Sequence, residues 1–132
     1  MIPEYPIAER QPQRLKTPSG LLYGEITLER VLDGKVRAED LRISGVVLEL
    51  QAQIAINAGR PQLAENLRRA AELVDVPEEE ILKIYNALRP GRAGPSELET
   101  LAAALERNYG ARRCAGLLRE AAAAYTRAAS CP

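Results

Sequence analysis

The chain has 132 residues, with 18 Lys and Arg against 18 Asp and Glu, so no net charge draws it toward nucleic acid or an anionic membrane. Hydrophobic residues make up 46% and aromatics only 4%, with no Phe or Trp, which describes a soluble domain whose core is Leu, Ile, Val and Ala. The absence of histidine removes the usual base near neutral pH and the commonest metal ligand.

From the N-terminus, residues 1–24 hold Pro3, Pro6, Pro12 and Pro18, which forbid a continuous helix and favour an extended arm. Ile2, Tyr5, Ile7, Leu15, Leu21, Leu22 and Tyr23 give that arm more apolar surface than a solvated tail carries, so it is expected to lie against something. Residues 25–132 form the helical domain. Thr27 caps a short helix through Leu32, with Ile26 and Val31 at staple positions and Gly34 just past its end, and Ala38 to Leu41 makes a single turn.

Beyond residue 43 the apolar period is helical throughout. After a Ser44 cap, Ile43, Val47, Leu50 and Ile54 form a stripe that Gly59 ends. Pro61 opens the next helix, predicted to bury Leu63, Leu67, Ala70 and Val74 while Arg68, Arg69 and Glu72 face outward. Asp75 with Glu78 reads as a capping box for a helix with the stripe Ile81, Tyr85 and Leu88, stopped by Pro90 and Gly91. Ser96 with Glu99 caps another, carrying Leu98, Leu101 and Leu105 to Gly110. The last carries Cys114, Leu117, Leu118, Ala121 and Tyr125. No segment alternates with period two, and the connections are short, so the expected fold is all-α: a small bundle of five to six helices with an extended N-terminal arm.

Candidates for chemistry are few. Glu78, Glu79 and Glu80 are consecutive and fan over about 200° of a helix, so they serve its N-terminal dipole rather than one ion. Cys114 sits on a core stripe and Cys131 at the chain end, a pair that makes neither a disulfide framework nor a zinc spacing and is consistent with a reducing compartment. The glycines of RPGRAG lack the ending of a phosphate loop. Arg60, Arg68, Arg69, Arg89 and Arg92 are interleaved with Glu65, Glu72, Asp75 and Glu78 to Glu80, which makes a mixed surface rather than a nucleic-acid face. Tyr85, Asn86 and Arg89 together have the composition of a protein interface, although a bonded core tyrosine and a dipole-favoured arginine would look the same. With no apolar h-region and no apolar run of about 18 residues, neither signal peptide nor transmembrane helix is expected, and the cytoplasm is the expected location.

The runs GEITLERVLDGKV, EDLRIS, LQAQIA, AGRPQLAENLRRAAEL, VPEEEILKIYNALRP and YGARRCAGLLREAA, with EYPIAER in the arm, closely resemble the small, or gamma, subunit of adenosylcobalamin-dependent diol and glycerol dehydratases. The match runs in order over nearly the whole chain. The resemblance implies a lyase assembled as a dimer of heterotrimers of large, medium and small subunits. In that family the diol lies in the large subunit's barrel and adenosylcobalamin is bound by the other subunits, so this chain is expected to hold no catalytic, cofactor-binding or metal-binding residue. It would dock on the large subunit, with Tyr5, Ile7, Leu15, Leu22, Tyr85, Asn86 and Arg89 as the candidate contacts. Some members carry a longer N-terminal extension linked to encapsulation in microcompartments; since this chain begins near YPIAER, encapsulation is expected only through the assembled complex. Glu80 and Lys83 are reversed relative to the family's Arg-then-Glu pattern, so contacts there are expected to differ. The competing expectation is a non-enzymatic helical adaptor or nucleic-acid-associated module, supported only by the arginines between residues 60 and 92.

Overall fold

The computed structural model describes residues 1–131. Among these there are seven α-helices and three 3-10 turns, with one isolated antiparallel bridge between Lys16 and Leu22, so the all-α class holds and the helix count exceeds the five to six expected. Contacts divide the chain into two units, Met1–Ala71 and the residues from Glu72 onward.

The first unit begins with the proline-rich segment, which is not wholly extended: α1 (Ile7–Arg10) makes one turn and Pro12–Arg14 a 3-10 turn. The buried Gln11 side chain donates to the Ile2 carbonyl at 3.3 Å, and Arg14 reaches the Met1 carbonyl at 3.2 Å, folding the first residues back on the segment. Residues 15–23 close on themselves as Thr17 N bonds Leu21 O and Tyr23 N bonds Leu15 O, with Gly20 at φ 92° in the turn. Asp40 fixes this loop to the 3-10 turn Ala38–Leu41. Its buried carboxylate accepts from the Ser19 hydroxyl and, at 2.8 Å, from the Arg37 amide. The Ser19 hydroxyl above all, then the Arg37 amide and the Thr17 hydroxyl, hold the Asp40 carboxyl below its ordinary 3.8. Between loop and turn lies α2 (Leu28–Leu32), where Thr27 caps as expected by accepting from the Arg30 amide.

Two longer helices, α3 (Gly45–Asn57) and α4 (Pro61–Leu73), run antiparallel across the turn at Gly59, whose φ of 72° lets the amides of Ala58, Gly59 and Arg60 reach the last α3 carbonyls. Ala52 and Ala55 of α3 meet Ala64 and Leu67 of α4 in a small apolar cluster. Arg68 clamps Glu49, its Nε donating to both carboxylate oxygens at 3.1 and 3.3 Å and its Nη2 to one of them at 3.0 Å. Thus Arg68, expected outward, bridges the pair. The α4 stripe also differs from expectation: Ala64 is 1% exposed, whereas Leu63, Ala70 and Val74 lie on the exposed side. In α3 the buried residues are Leu50, Ala52 and Ala55, and Ile43 is exposed.

The second unit is built on α6 (Pro95–Tyr109) and α7 (Arg112–Ala129), an antiparallel hairpin turned by Gly110 in the left-handed conformation. Leu98 and Leu118 are its largest fully buried side chains, each contributing about 2 kcal/mol by area, and Ala102, Ala111 and Ala115 let the helices approach between them. Helix α5 (Glu78–Ala87) packs Ile81, Ile84, Ala87 and Leu88 onto this core. The inward residue is therefore Ile84, and Tyr85 points away. Likewise Ala115 and Leu118 are buried in α7 while Leu117 is exposed. Cys114 is buried and Cys131 exposed, as expected.

Helix starts depart from the predicted capping boxes. Pro77 precedes α5 and Gly94 precedes α6, neither with a side-chain cap, because Pro77 and Pro95 themselves set the entry and push Ser96 inside the first turn. Ala111 cannot cap α7 either. Glu72, expected to face solvent, instead caps α7 from the end of α4: its carboxylate accepts from the Arg113 amide at 3.0 Å and the Cys114 amide at 2.9 Å.

Two outcomes are expected. Glu72→Ala removes a cap and lowers the stability of the second unit by about 1 kcal/mol, seen as an earlier urea midpoint. Because the folded Asp40 carboxyl titrates below its unfolded value, its contribution is present above about pH 4 and is lost as pH falls through the depressed value. Asp40→Asn therefore destabilises at neutral pH and flattens the acid limb of a melting-temperature profile. An unchanged acid limb would show that Asp40 does not secure the loop.

Candidate functional site

The residues proposed from sequence fall in two places, one on each unit. In the first, Tyr5, Ile7 and Leu15 line one apolar concavity of about 890 Å³ whose other wall is α3 and α4, including Val47, Ile54 and Leu63. Tyr5 is exposed at its rim, Ile7 is buried against its own chain, and Leu15 is half-buried. Leu22 stands apart from that concavity. It is exposed, with its amide held by Glu25 at 2.8 Å, while Leu15 also borders a second hollow with Tyr23, Ile26 and Ile43.

In the second unit Tyr85 is 64% exposed on the outer face of α5, with the Arg89 guanidinium 5.9 Å from its ring centroid, a cation–π contact. Asn86 and Arg89 line a hollow of about 420 Å³ with Lys83 and Arg92. The core-tyrosine alternative does not apply to Tyr85. It describes Tyr125, half-buried, whose hydroxyl donates to the Leu88 carbonyl at 2.6 Å.

Sequence reasoning missed a group of exposed large aliphatic residues between positions 28 and 46. Leu28, Leu32, Leu41, Ile43 and Val46 are 67% to 79% exposed, in and around α2 and the start of α3. Two signals point there. A five-residue α2 carrying Leu28, Val31 and Leu32 is too short to turn all three inward. Helix α3, GVVLELQAQIAIN, is apolar around most of its circumference, and one neighbouring helix covers only one side.

Several carboxylates, by contrast, are occupied. Glu25 accepts from Leu22 N and pairs with Arg30 at 2.7 Å, and these lower its titration, the backbone amide most of all. Asp40 and Glu72 hold amides, Glu49 holds Arg68, and Glu99 with Glu106 holds Arg119. Burial, with a bond to Glu80, pushes the Tyr109 phenol up, away from service as a base. No group of His, Cys, Asp and Glu that could hold a metal occurs among the described residues. Exposed large aliphatic side chains of this kind are suited to binding a surface.

No helix among the described residues is long and apolar enough to cross a membrane. A family model described as dehydratase small subunit matches residues 1–130. The propanediol dehydratase small subunit of Citrobacter freundii is 49% identical over 124 residues, 94% of this chain and 72% of that protein. The propanediol dehydratase small subunit of Salmonella typhimurium is 48% identical over the same length and shares. At that identity, with the family pattern running through both units, the conclusion is direct: the chain belongs to the dehydratase small-subunit family.

Proposed function

We propose that this chain is the small subunit of an adenosylcobalamin-dependent dehydratase that converts propane-1,2-diol or glycerol to an aldehyde and water, and that it acts as a docking subunit for the large catalytic subunit. Nearly half identity to two propanediol dehydratase small subunits supports the enzyme class. One observation carries the docking role: five large aliphatic side chains around α2 and the start of α3 are left mostly in water. A soluble protein seldom keeps such a surface uncovered without a partner for it.

Magnitudes bound what that surface can do. Covering five such side chains yields roughly 5–10 kcal/mol. Association costs about 4–15 kcal/mol in lost freedom. The aliphatic surface therefore needs help, and Tyr5, Leu22, Tyr85, Asn86 and Arg89 are the exposed residues of a type that supplies it. Large, medium and small subunits would form a dimer of heterotrimers in the cytoplasm, with a microcompartment open to the complex as a whole.

This chain's residues do not fit the cofactor. The sequence has no imidazole to ligate cobalt, and the concavity of about 890 Å³ is lined mainly by aliphatic side chains, with Tyr5, Gln51 and Arg60 as its polar ones, where a corrin rimmed by amides needs many. The cobalamin and the chemistry it supplies, generating a radical that starts removal of water from the diol, are assigned to the other subunits.

Co-expression of the chain with large and medium dehydratase subunits tests the reading. The wild-type chain is expected to co-purify with them. Leu28→Asp with Leu32→Asp is expected to leave the isolated chain's helix content and melting unchanged while abolishing co-purification. Tyr85→Ala is expected to weaken assembly by about 2 kcal/mol with little change in melting. A chain that binds neither subunit would favour the adaptor reading, and one that binds adenosylcobalamin alone would contradict the docking role.

A further inference from the structure

At the C-terminal end of α5, Lys83, Arg89 and Arg92 line one hollow of about 420 Å³, with Glu97 the single carboxylate in its wall. Among the described residues none of the three cations enters an ion pair; of the other cations in this unit Arg112, Arg113 and Arg119 do, while Arg107 and Arg127 do not, and only Lys83, Arg89 and Arg92 share a hollow. In a chain with equal numbers of acidic and basic residues, that local imbalance is a feature of placement, not of composition.

The backbone around the hollow is already engaged. Asn86 O accepts from Arg89 N at 3.2 Å, Arg89 O from Arg92 N at 3.1 Å, and Leu88 O from the Tyr125 hydroxyl at 2.6 Å. Gly91, at φ 77°, makes the tight reversal that brings Arg92 back beside Arg89. The bond from Tyr125 ties that reversal to α7, so the cations sit on a fixed turn and not a loose loop. Tyr85 holds the Arg89 guanidinium in place from the side, and Leu82 and Tyr85 add exposed apolar area next to it. A guanidinium pre-oriented in this way suits a planar carboxylate, which it can grip with two parallel hydrogen bonds.

We infer that this hollow is a carboxylate-binding cradle that seats an Asp- or Glu-bearing segment of the large dehydratase subunit, anchored by Tyr85 and held by Arg89 and Arg92 with Lys83. The inference rests on the assembly reading above and adds the chemistry of one contact to it. Charge complementarity identifies the occupant. Phosphates of a nucleic acid would meet Glu97 in the wall and the run Glu78 to Glu80 at the other end of the same helix, which oppose a continuous polyanion. A short acidic segment confined to the hollow stays clear of the Glu78 to Glu80 run and sets one carboxylate, Glu97, against three cations.

The test measures assembly of the full-length chain with the large and medium subunits at about 0.05 M and about 0.5 M NaCl, ionic strengths that leave exposed charges weakly and strongly screened. Arg89→Glu with Arg92→Glu is expected to weaken assembly about tenfold or more at low salt and about twofold or less at high salt, with unchanged circular dichroism. The neutral pair Arg89→Gln and Arg92→Gln is expected to fall between, which guards against a folding defect in the reversed pair. Assembly of both variants indistinguishable from wild type at low salt, while Leu28→Asp with Leu32→Asp still abolishes it, would overturn the cradle and leave the small-subunit reading intact. Failure of the wild-type chain itself to assemble would remove both. Binding of a single-stranded oligonucleotide that both variants lose, with assembly unaffected, would assign the cradle to nucleic acid and overturn the proposal.

Discussion

The constraint on which the rest depends is the size of the side chains between the helices. With no Phe or Trp, most of the fully buried positions are alanines: Ala52 and Ala64 in the first unit, Ala102, Ala111 and Ala115 beside Leu98 and Leu118 in the second. Small residues let helix axes approach closely and gain dispersion contacts along the backbone. Each alanine, however, removes little apolar area from water. The helices are held at close range by contacts that leave many larger aliphatic residues outside, so a core of this kind and an apolar exterior arise together.

Electrostatics completes what the small core leaves undone. Glu49 with Arg68 locks the α3–α4 pair beside its alanines, Glu72 starts α7 where Ala111 has no capping side chain to offer, and Asp40 joins the loop at Ser19 to the turn at Arg37. In each case a carboxylate is engaged in holding the fold. The cations at the end of α5 gather in one hollow without an ion pair among the described residues, and the aliphatic side chains around α2 are their apolar counterpart. Both are what a subunit would keep for a partner.

Much of this was legible in the sequence, and the errors share one cause. Thr27 as a cap, Pro61 as a first helical residue, the turn at Ala38–Leu41, the stop at Gly110 and the burial of Cys114 follow from local chemistry and are found where expected. The buried faces were misplaced wherever a large residue competed with a small one: Leu63 was chosen over Ala64, Tyr85 over Ile84 and Ala87, Leu117 over Ala115. A reading that turns the largest apolar residue inward is sound for ordinary cores and fails when alanine sets the helix spacing. Glu72 was missed for a different reason. Its partners lie about forty residues along the chain, and only the lack of a capping side chain before Arg112 hints that a distant acceptor is needed. The exposed aliphatic residues of α2 were visible as residues but not as a surface, because exposure depends on what neighbouring helices fail to cover.

The central claim is that the apolar surface around α2 and the start of α3 exists to be covered by another dehydratase subunit. Hydrogen–deuterium exchange of the full chain, alone and assembled with large and medium subunits, addresses it most directly, since amides there belong to short, solvent-facing elements that open readily. The account predicts that assembly slows exchange across residues 28–46 while the Ala52–Ala64 contact, already closed, changes little. Unchanged exchange across residues 28–46 in a complex that has demonstrably formed would contradict it.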